Sequence, residues 1–289
     1  MHQTAIAVNP NWHSKDQTKM LPALGRLLVQ LMHPTPHQHV LDVACGPAGT
    51  CARAFSEAGS CVMAIDIKLK VIQQLKQKLA DVTVYPQVLS STGIIPEAGS
   101  TGDISLVVAH AEQLPFQDHQ FDIITGVGAL SNFDNPALAL KEMLRILTPA
   151  GRIGLGDFMI PGIAHEVYGV LSTFRYGRRR PHLDYYQVQD LLHTVGLRVT
   201  SYVPLTWLSP LARSDRTAVS QGTPSGLYTE ALLSVDMATR QALGIHQREG
   251  AWYMTNHSFA LVAERATVLQ EDNTVIIDEL PSPIEAVAP

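Results

Sequence analysis

Apolar positions recur along this chain with two alternating periods, and the switches between them lay out its elements. From Lys15 to Met32 the residues Leu21, Leu24, Leu27, Leu28 and Leu31 follow helical spacing, which predicts an amphipathic helix ended by Pro34 and Pro36. Val40, Leu41, Val43 and Ala44 form a short apolar run, the pattern of a central strand covered on both faces. Helical spacing returns at Cys51, Ala54, Phe55 and Ala58, closed by Gly59, and CVMAID from Cys61 to Asp66 reads as the next strand. Further on come a helix from Leu69 to Leu79, a strand in FDIITGV, a helix in NPALALKEMLRIL and a strand from Arg152 to Phe158. A helix starting near Tyr185, a strand from Leu197 to Val203, a helix from Ala231 to Leu243 and a strand from His257 to Arg265 complete the pattern. Strands alternating with helices in this way predict an α/β fold with a doubly wound, mostly parallel sheet.

Two segments compete for the third strand. ISLVVA, from Ile104 to Ala109, is preferred over VTVYPQV, from Val82 to Val88, because the latter contains a proline and lies far from the Ala-Glu-Gln-Leu-Pro segment. Between them, Ser90 to Gly102 reads SSTGIIPEAGSTG and predicts an inserted surface loop, a tolerable insertion because closure entropy grows slowly with length.

Candidate chemistry concentrates in HVLDVACGPAGTCARA, from His39 to Ala54. Gly46, Pro47, Ala48 and Gly49 make a small-residue bend that lets backbone approach a ligand. Asp42 is costly inside its apolar run, so it is expected to emerge near the strand's carboxyl end and accept hydrogen bonds from the turn or a ligand. Asp66, at the end of the following strand, has the spacing of an acidic residue that takes both hydroxyls of a ribose. These two signals are shared by dinucleotide-binding and other adenosine-binding sheets and do not name a cofactor.

Downstream segments discriminate. AEQLPFQDHQF from Ala111 to Phe121, then FDIITGV, NPALALKEMLRIL and TPAGRIGLGDF, follow in that order. With these four motifs the chain resembles the class I S-adenosylmethionine-dependent methyltransferases, and within them the small-molecule enzymes similar to quinone-biosynthesis C-methyltransferases. The likeness covers roughly Val40 to Phe158 and, more weakly, Tyr185 to Arg265. A nicotinamide fingerprint would need agreement where Gly46, Ala48 and Thr50 stand.

The resemblance implies a seven-stranded Rossmann-like sheet whose last strand enters antiparallel between the fifth and sixth. It implies an N-terminal helical cap over residues 1–38, a catalytic domain over 39–265 with an acceptor lid at about 159–190, and a tail over 266–289. It also implies that Asp42, Ala44, Gly46 and Ala48 serve the turn and the methionine portion of S-adenosyl-L-methionine, Asp66 its ribose, Ala111 and Glu112 its adenine, and Gly126 or Val127 its methionyl end. Two positions depart from the family pattern. Ala48 stands where glycine is usual, and His110 stands where an aspartate normally meets the adenine amino group, a role for which neutral histidine offers an acceptor nitrogen.

Composition narrows the partners. With 46% hydrophobic and 16% charged residues the chain can build a sizeable core. A net charge of −5, with one dense basic cluster at Arg175, Arg178, Arg179 and Arg180, disfavours nucleic acid. No apolar run is long enough for a membrane span and the N-terminus lacks a signal-peptide order, so a cytoplasmic protein is expected. Cys45, Cys51 and Cys61 are expected to be reduced and packed, with no metal site.

The lid segment carries aromatic residues and histidines suited to a planar or hydrophobic acceptor, and His165, His182 and Tyr185 are the candidate catalytic residues for proton removal from a phenol or enol. The expected reaction is methyl transfer to carbon or oxygen of a small hydrophobic metabolite, in secondary metabolism. The alternative is a cyclase or pericyclic catalyst on the same fold, with the cofactor structural or absent. A small-molecule acceptor is the expected partner, and a homodimer stays open.

Overall fold

The run Val40, Leu41 and Val43 is fully buried, so β1 (His39–Val43) lies mid-sheet, parallel to a neighbour on each side. This computed structural model describes residues 17–79, 83–85, 102–159, 183–211 and 232–266. The elements around β1 are α1 (Gln17–Met32), α2 (Thr50–Glu57), β2 (Cys61–Asp66), α3 (Leu69–Lys78), β3 (Thr83–Tyr85), β4 (Ile104–Val108) and β5 (Phe121–Val127). After a 3-10 turn at Leu130–Asn132 come α4 (Pro136–Ile146), β6 (Leu147–Met159), α5 (Tyr185–Thr194), β7 (Leu197–Pro210), α6 (Met237–Ala242), β8 (Ile245–Arg248) and β9 (Ala251–Arg265).

The sheet order is β3-β4-β2-β1-β5-β6-β9-β7, with β8 paired to β9. Strands β1 to β6 run parallel, whereas β9 is antiparallel to both β6 and β7. The expected seven-stranded order is present as β4-β2-β1-β5-β6-β9-β7, and two additions enlarge the sheet to nine strands. One addition is β8, which forms a hairpin with β9. The other settles the third-strand competition: Ile104–Val108 pairs with β2, and Thr83–Tyr85 adds a three-residue strand outside it. A short strand followed by Pro86 suits an edge, where no further ladder is needed.

Alternate residues feed two cores. Val40, Val62, Ala64, Leu106 and Ile123 face α1, α2 and α3, meeting Leu24, Leu28, Met32, Phe55, Ile72 and Leu75. Leu41, Val43, Ile65, Ile124 and Leu155 face α4 and α5, meeting Leu140, Met143, Val188 and Leu192. No described helix is long and apolar enough to cross a membrane. The helix expected from Ala231 to Leu243 is interrupted: Asp236 accepts from Thr239 N at 3.0 Å and caps a new helix, α6. Residue 231 lies outside the described residues.

Two local constraints seat the helices behind β1. Helices α1 and α2 approach so closely at Gly25 that a Cβ there would lie 2.8 Å from the Thr50 carbonyl oxygen. Helix α2 starts at Gly49, which has no side chain to cap it. Asp42 supplies the missing acceptor from β1, taking the Ala52 amide at 2.9 Å. Burial raises the Asp42 carboxyl to about 7, with nearby Asp66 adding to the rise and the Ala52 hydrogen bond opposing it.

Gly25→Val is expected to destabilise the protein by about 1–3 kcal/mol in urea denaturation, because backbone rather than a pliable side chain blocks the new group. An unchanged midpoint would show that α1 can slide away from α2. The raised Asp42 value has a definite sign: its contribution is complete below the ordinary value of 3.8 and is lost as pH rises through about 7. Asp42→Asn, which still accepts from Ala52, is expected to flatten the fall in stability between about pH 4 and pH 7 by on the order of 1–3 kcal/mol. Parallel stability–pH curves for the two proteins would refute that origin.

Candidate functional site

The chain leaves β1 through a left-handed bend. Ala44 has φ of 55°, Gly46 62° and Gly49 54°, and the bend is tied to β2 by the Cys45 amide on the Ile65 carbonyl at 2.9 Å. A left-handed alanine costs on the order of 1 kcal/mol, so the surrounding hydrogen bonds must impose this geometry. Asp66 ends β2 beside the bend. Its Oδ2 accepts from Gly46 N at 3.3 Å and its Oδ1 from Lys68 N at 2.9 Å, so two amides fix the carboxylate.

Bare backbone borders the space above. A Cβ on Gly46 would meet only the Ala44 carbonyl oxygen, at 4.0 Å, and one on Gly128 would meet nothing within 4 Å. The outer side of the bend is anchored instead: the Ala48 carbonyl accepts from Arg53 Nε at 3.1 Å and the Pro47 carbonyl from Lys78 Nζ at 2.8 Å. Gly49 is enclosed, since a Cβ there would lie 2.6 Å from Leu75.

The residues singled out in the sequence occupy distinct surroundings. Asp42 faces α2 and is buried beneath the bend. Ala44, Gly46 and Asp66 border the crevice at the carboxyl ends of β1 and β2, while Ala48 is exposed on the outer side. Gly126 is packed: a Cβ there would lie 3.0 Å from Ala129 Cβ and 3.3 Å from the Val43 carbonyl oxygen. Close strand packing needs that glycine, and the opening lies two residues later at Gly128.

His110, Ala111 and Glu112 follow β4, next to Asp66, whose carbonyl accepts the Ala109 amide at 3.2 Å. Glu112 N donates to His110 Nδ1 at 3.2 Å, and Glu112 Oε1 accepts from Asn135 N at 2.7 Å. His110, Glu112 and Asp134 each bring one potential ligand atom within 4.8 Å of the others. The loop after Glu112 is clamped to α4. Leu114 N donates to Glu142 Oε2 at 2.9 Å, and Arg145 donates to the Leu114 and Phe116 carbonyls and to Asp118. The hydrogen bond from Arg145 holds the Glu142 carboxyl below the usual range.

Of the acceptor-side candidates, His165 and His182 lie outside the described residues, as do residues 160–182 of the expected lid. Tyr185 opens α5, its ring 4.2 Å from that of Tyr202, which stacks on Phe259 and donates its hydroxyl to Met159 Sδ at 3.6 Å. Burial raises the Tyr185 and Tyr202 phenols, Tyr202 to about 12, so both are poor bases at neutral pH.

Two further residues, absent from the sequence-based candidates, belong to the site region. Asp157, buried in β6, accepts from Ser131 N at 3.1 Å and Ser131 Oγ at 3.2 Å, and burial raises it to about 6. It thereby holds the 3-10 turn that follows Gly128, whose own amide donates to the Gly156 carbonyl at 2.7 Å. Its signal was a carboxylate inside the apolar stretch GLGDF, the same anomaly that marked Asp42. His257 sits on β9 opposite Met159 and Thr206, half-buried, with its pKa lowered by burial. In phase with Phe259 and Leu261, it shares the sheet face of Tyr202. The period-two run from His257 carried that information.

Chemically, the described residues offer binding and orientation. Burial pushes the Cys45 and Cys51 thiols well above their usual range, which removes them as thiolate nucleophiles.

A family model for a methyltransferase domain matches residues 41–155. Among curated proteins, the demethylmenaquinone methyltransferase of Renibacterium salmoninarum is 32% identical over 148 residues, covering 51% of each chain. The ubiquinone/menaquinone biosynthesis C-methyltransferase UbiE of Proteus mirabilis is 28% identical over 193 residues, covering 59% of this chain and 70% of that one. This chain thus spans about half the length of the first relative. Among solved structures, a Bacillus halodurans C-125 protein described as a candidate methyltransferase aligns at a TM-score of 0.68 and 21% identity, covering 84% of this chain and 99% of that one. A Haemonchus contortus N-methyltransferase in complex with phosphomonomethylethanolamine and S-adenosylhomocysteine shares the fold at a TM-score of 0.54 and 13% identity, covering 85% of this chain and 53% of that one. Residues 41–155 match a methyltransferase domain, and the sheet that carries them has the Rossmann-like fold of the solved Bacillus halodurans neighbour.

Proposed function

We propose that the protein binds S-adenosyl-L-methionine in the crevice at the carboxyl ends of β1, β2, β4 and β5 and transfers its methyl group to a small, planar, hydrophobic acceptor. The observation that carries this reading is Asp66, fixed by the Gly46 and Lys68 amides beside a glycine bend that opens onto free space. A carboxylate so held suits a vicinal diol, and a bend without side chains lets the methionyl portion lie against backbone. Gly128 serves that portion from β5, with Ala111 and Glu112 at the base end. One catalytic domain over 39–265, with an acceptor segment at about 159–190, is the organisation that suits this reading.

The cofactor supplies a methyl group already activated by the positive charge on sulfur. The chain's own part is to exclude water, align the acceptor and receive any proton it loses. A wall of Met159, Tyr185, Tyr202 and Phe259 supports an apolar, ring-shaped acceptor, and the quinone C-methyltransferase names of the relatives support methylation at carbon. His257, on the same face and kept neutral by burial, is suited to line that pocket.

Isothermal titration is expected to show binding of the methyl donor and of S-adenosylhomocysteine, and none of NAD. Asp66→Ala is expected to weaken S-adenosylhomocysteine by about 1–3 kcal/mol, with Asp66→Asn intermediate because it keeps one acceptor oxygen. Equal affinity in all three proteins would remove Asp66 from the site. Incubation with a panel of hydroquinones and phenols should yield a product carrying one added methyl group, labelled when the donor's methyl is labelled. An isomer of unchanged mass would replace transfer with rearrangement.

A further inference from the structure

We infer that His110 reads the cofactor's nucleobase as a hydrogen-bond donor through Nε2–H, with the carboxylates of Glu112 and Asp134 supplying the adjoining acceptors. The inference deepens the cofactor reading above and rests on it.

Strand order fixes where the base must lie. The glycine bend follows β1, Asp66 ends β2 and His110 follows β4, and these strands are neighbours in the order β4-β2-β1. Adjacent strands are about 4.8 Å apart, so a ligand with its methionyl end on the bend and its diol at Asp66 brings the next ring to the end of β4. His110 is half-buried there, turned back toward Gln113 by that residue's amide on the His110 carbonyl at 3.1 Å.

The ring's polarity follows from one hydrogen bond. A backbone amide can only donate, so His110 Nδ1, which receives the Glu112 amide at 3.2 Å, presents its lone pair there. In neutral imidazole the proton then resides on Nε2, which leaves that nitrogen as the donor available to a ligand. The acceptor nitrogen anticipated for this histidine is already engaged within the chain. Acceptor capacity comes instead from the two carboxylates, whose oxygens lie within 4.8 Å of a His110 ring nitrogen.

One donor beside acceptors complements the adenine edge, where the N1 lone pair adjoins the N6 amino group. Hypoxanthine inverts both groups, setting N1–H against Nε2–H and O6 against a carboxylate, so it is rejected twice over. The same hydrogen bond argues against a divalent cation. With Nδ1 engaged and Nε2 protonated, the ring has no lone pair to give a metal.

The test is calorimetric binding of S-adenosylhomocysteine, its 1-deaza and 3-deaza analogues and S-inosylhomocysteine to the wild type, His110→Leu and His110→Asp. Wild type is expected to bind the 1-deaza analogue about three- to tenfold more weakly than S-adenosylhomocysteine, the inosyl analogue more weakly still and the 3-deaza analogue within about twofold. His110→Leu and His110→Asp should both lose the discrimination against 1-deaza, a ratio that a merely structural role would leave unchanged. Equal binding of 1-deaza and parent by the wild type, or undiminished discrimination in His110→Leu, overturns the inference while leaving the cofactor reading intact. Manganese or zinc binding to the protein alone that His110→Leu abolishes also overturns it. Absence of any S-adenosylhomocysteine binding to the wild type overturns the cofactor reading and this inference together.

Discussion

A carboxylate shut away from water, Asp42, governs how the chain gets from its central strand into the helix behind it. Strand β1 is buried on both faces, and α2 must begin within a few residues of its end, at a glycine that cannot cap it. By accepting the Ala52 amide across the bend, Asp42 satisfies the helix from below and leaves the upper side of the bend free of side chains. A cap from residue 49 itself is excluded because Leu75 fills the direction of its Cβ. The open floor of the crevice and the buried acid beneath it are thus two results of one constraint.

The same device appears again on the other side of β5. Asp157 is buried in β6 and holds Ser131 of the 3-10 turn, as Asp42 in β1 holds the first turn of α2. Each backbone opening, at Gly46 and at Gly128, therefore rests near a buried acid whose pKa burial has raised, one to about 7 and the other to about 6. Charged hydrogen-bond acceptors are stronger than neutral ones, but burying them is costly, so these two positions trade global stability for local rigidity. Loops bordered by bare backbone have little packing of their own to keep them in place.

What was legible in the sequence is what local pattern controls. The parallel strands, the glycine bend, Asp66 and the antiparallel insertion of β9 follow from apolar period and from the resemblance together. The edge strand β3 was harder to read because three residues carry too little periodicity and Pro86 argued against any strand. Gly126 and Gly128 are equivalent by composition; only the proximity of Ala129 and Val43, one of them distant in sequence, separates a packing glycine from an open one. Asp236 was a capping residue hidden inside a helical pattern. The polarity of His110 depends on a backbone amide two residues away, and residue type alone leaves both tautomers open.

The sheet also divides the crevice into parts with different freedom to change. Strands β4, β2, β1 and β5 end at nearly one level, and the loops after β4, β2 and β1 are cross-linked by the Asp66 and Cys45 hydrogen bonds. Pairing of β5 with β6 stops at Val127 and Gly156, yet β6 continues to Met159, and β9 with β7 extends to Tyr253 and Pro210. The antiparallel strands therefore stand beyond the parallel ones as a wall. Among the described residues, Met159, Tyr202 and His257 share no hydrogen bond with Asp42 or Asp66, so a change of size or polarity there leaves the bonds that hold those two carboxyls in place. Under the proposed function, cofactor geometry is conserved by the parallel half of the sheet while the acceptor is chosen by the antiparallel half.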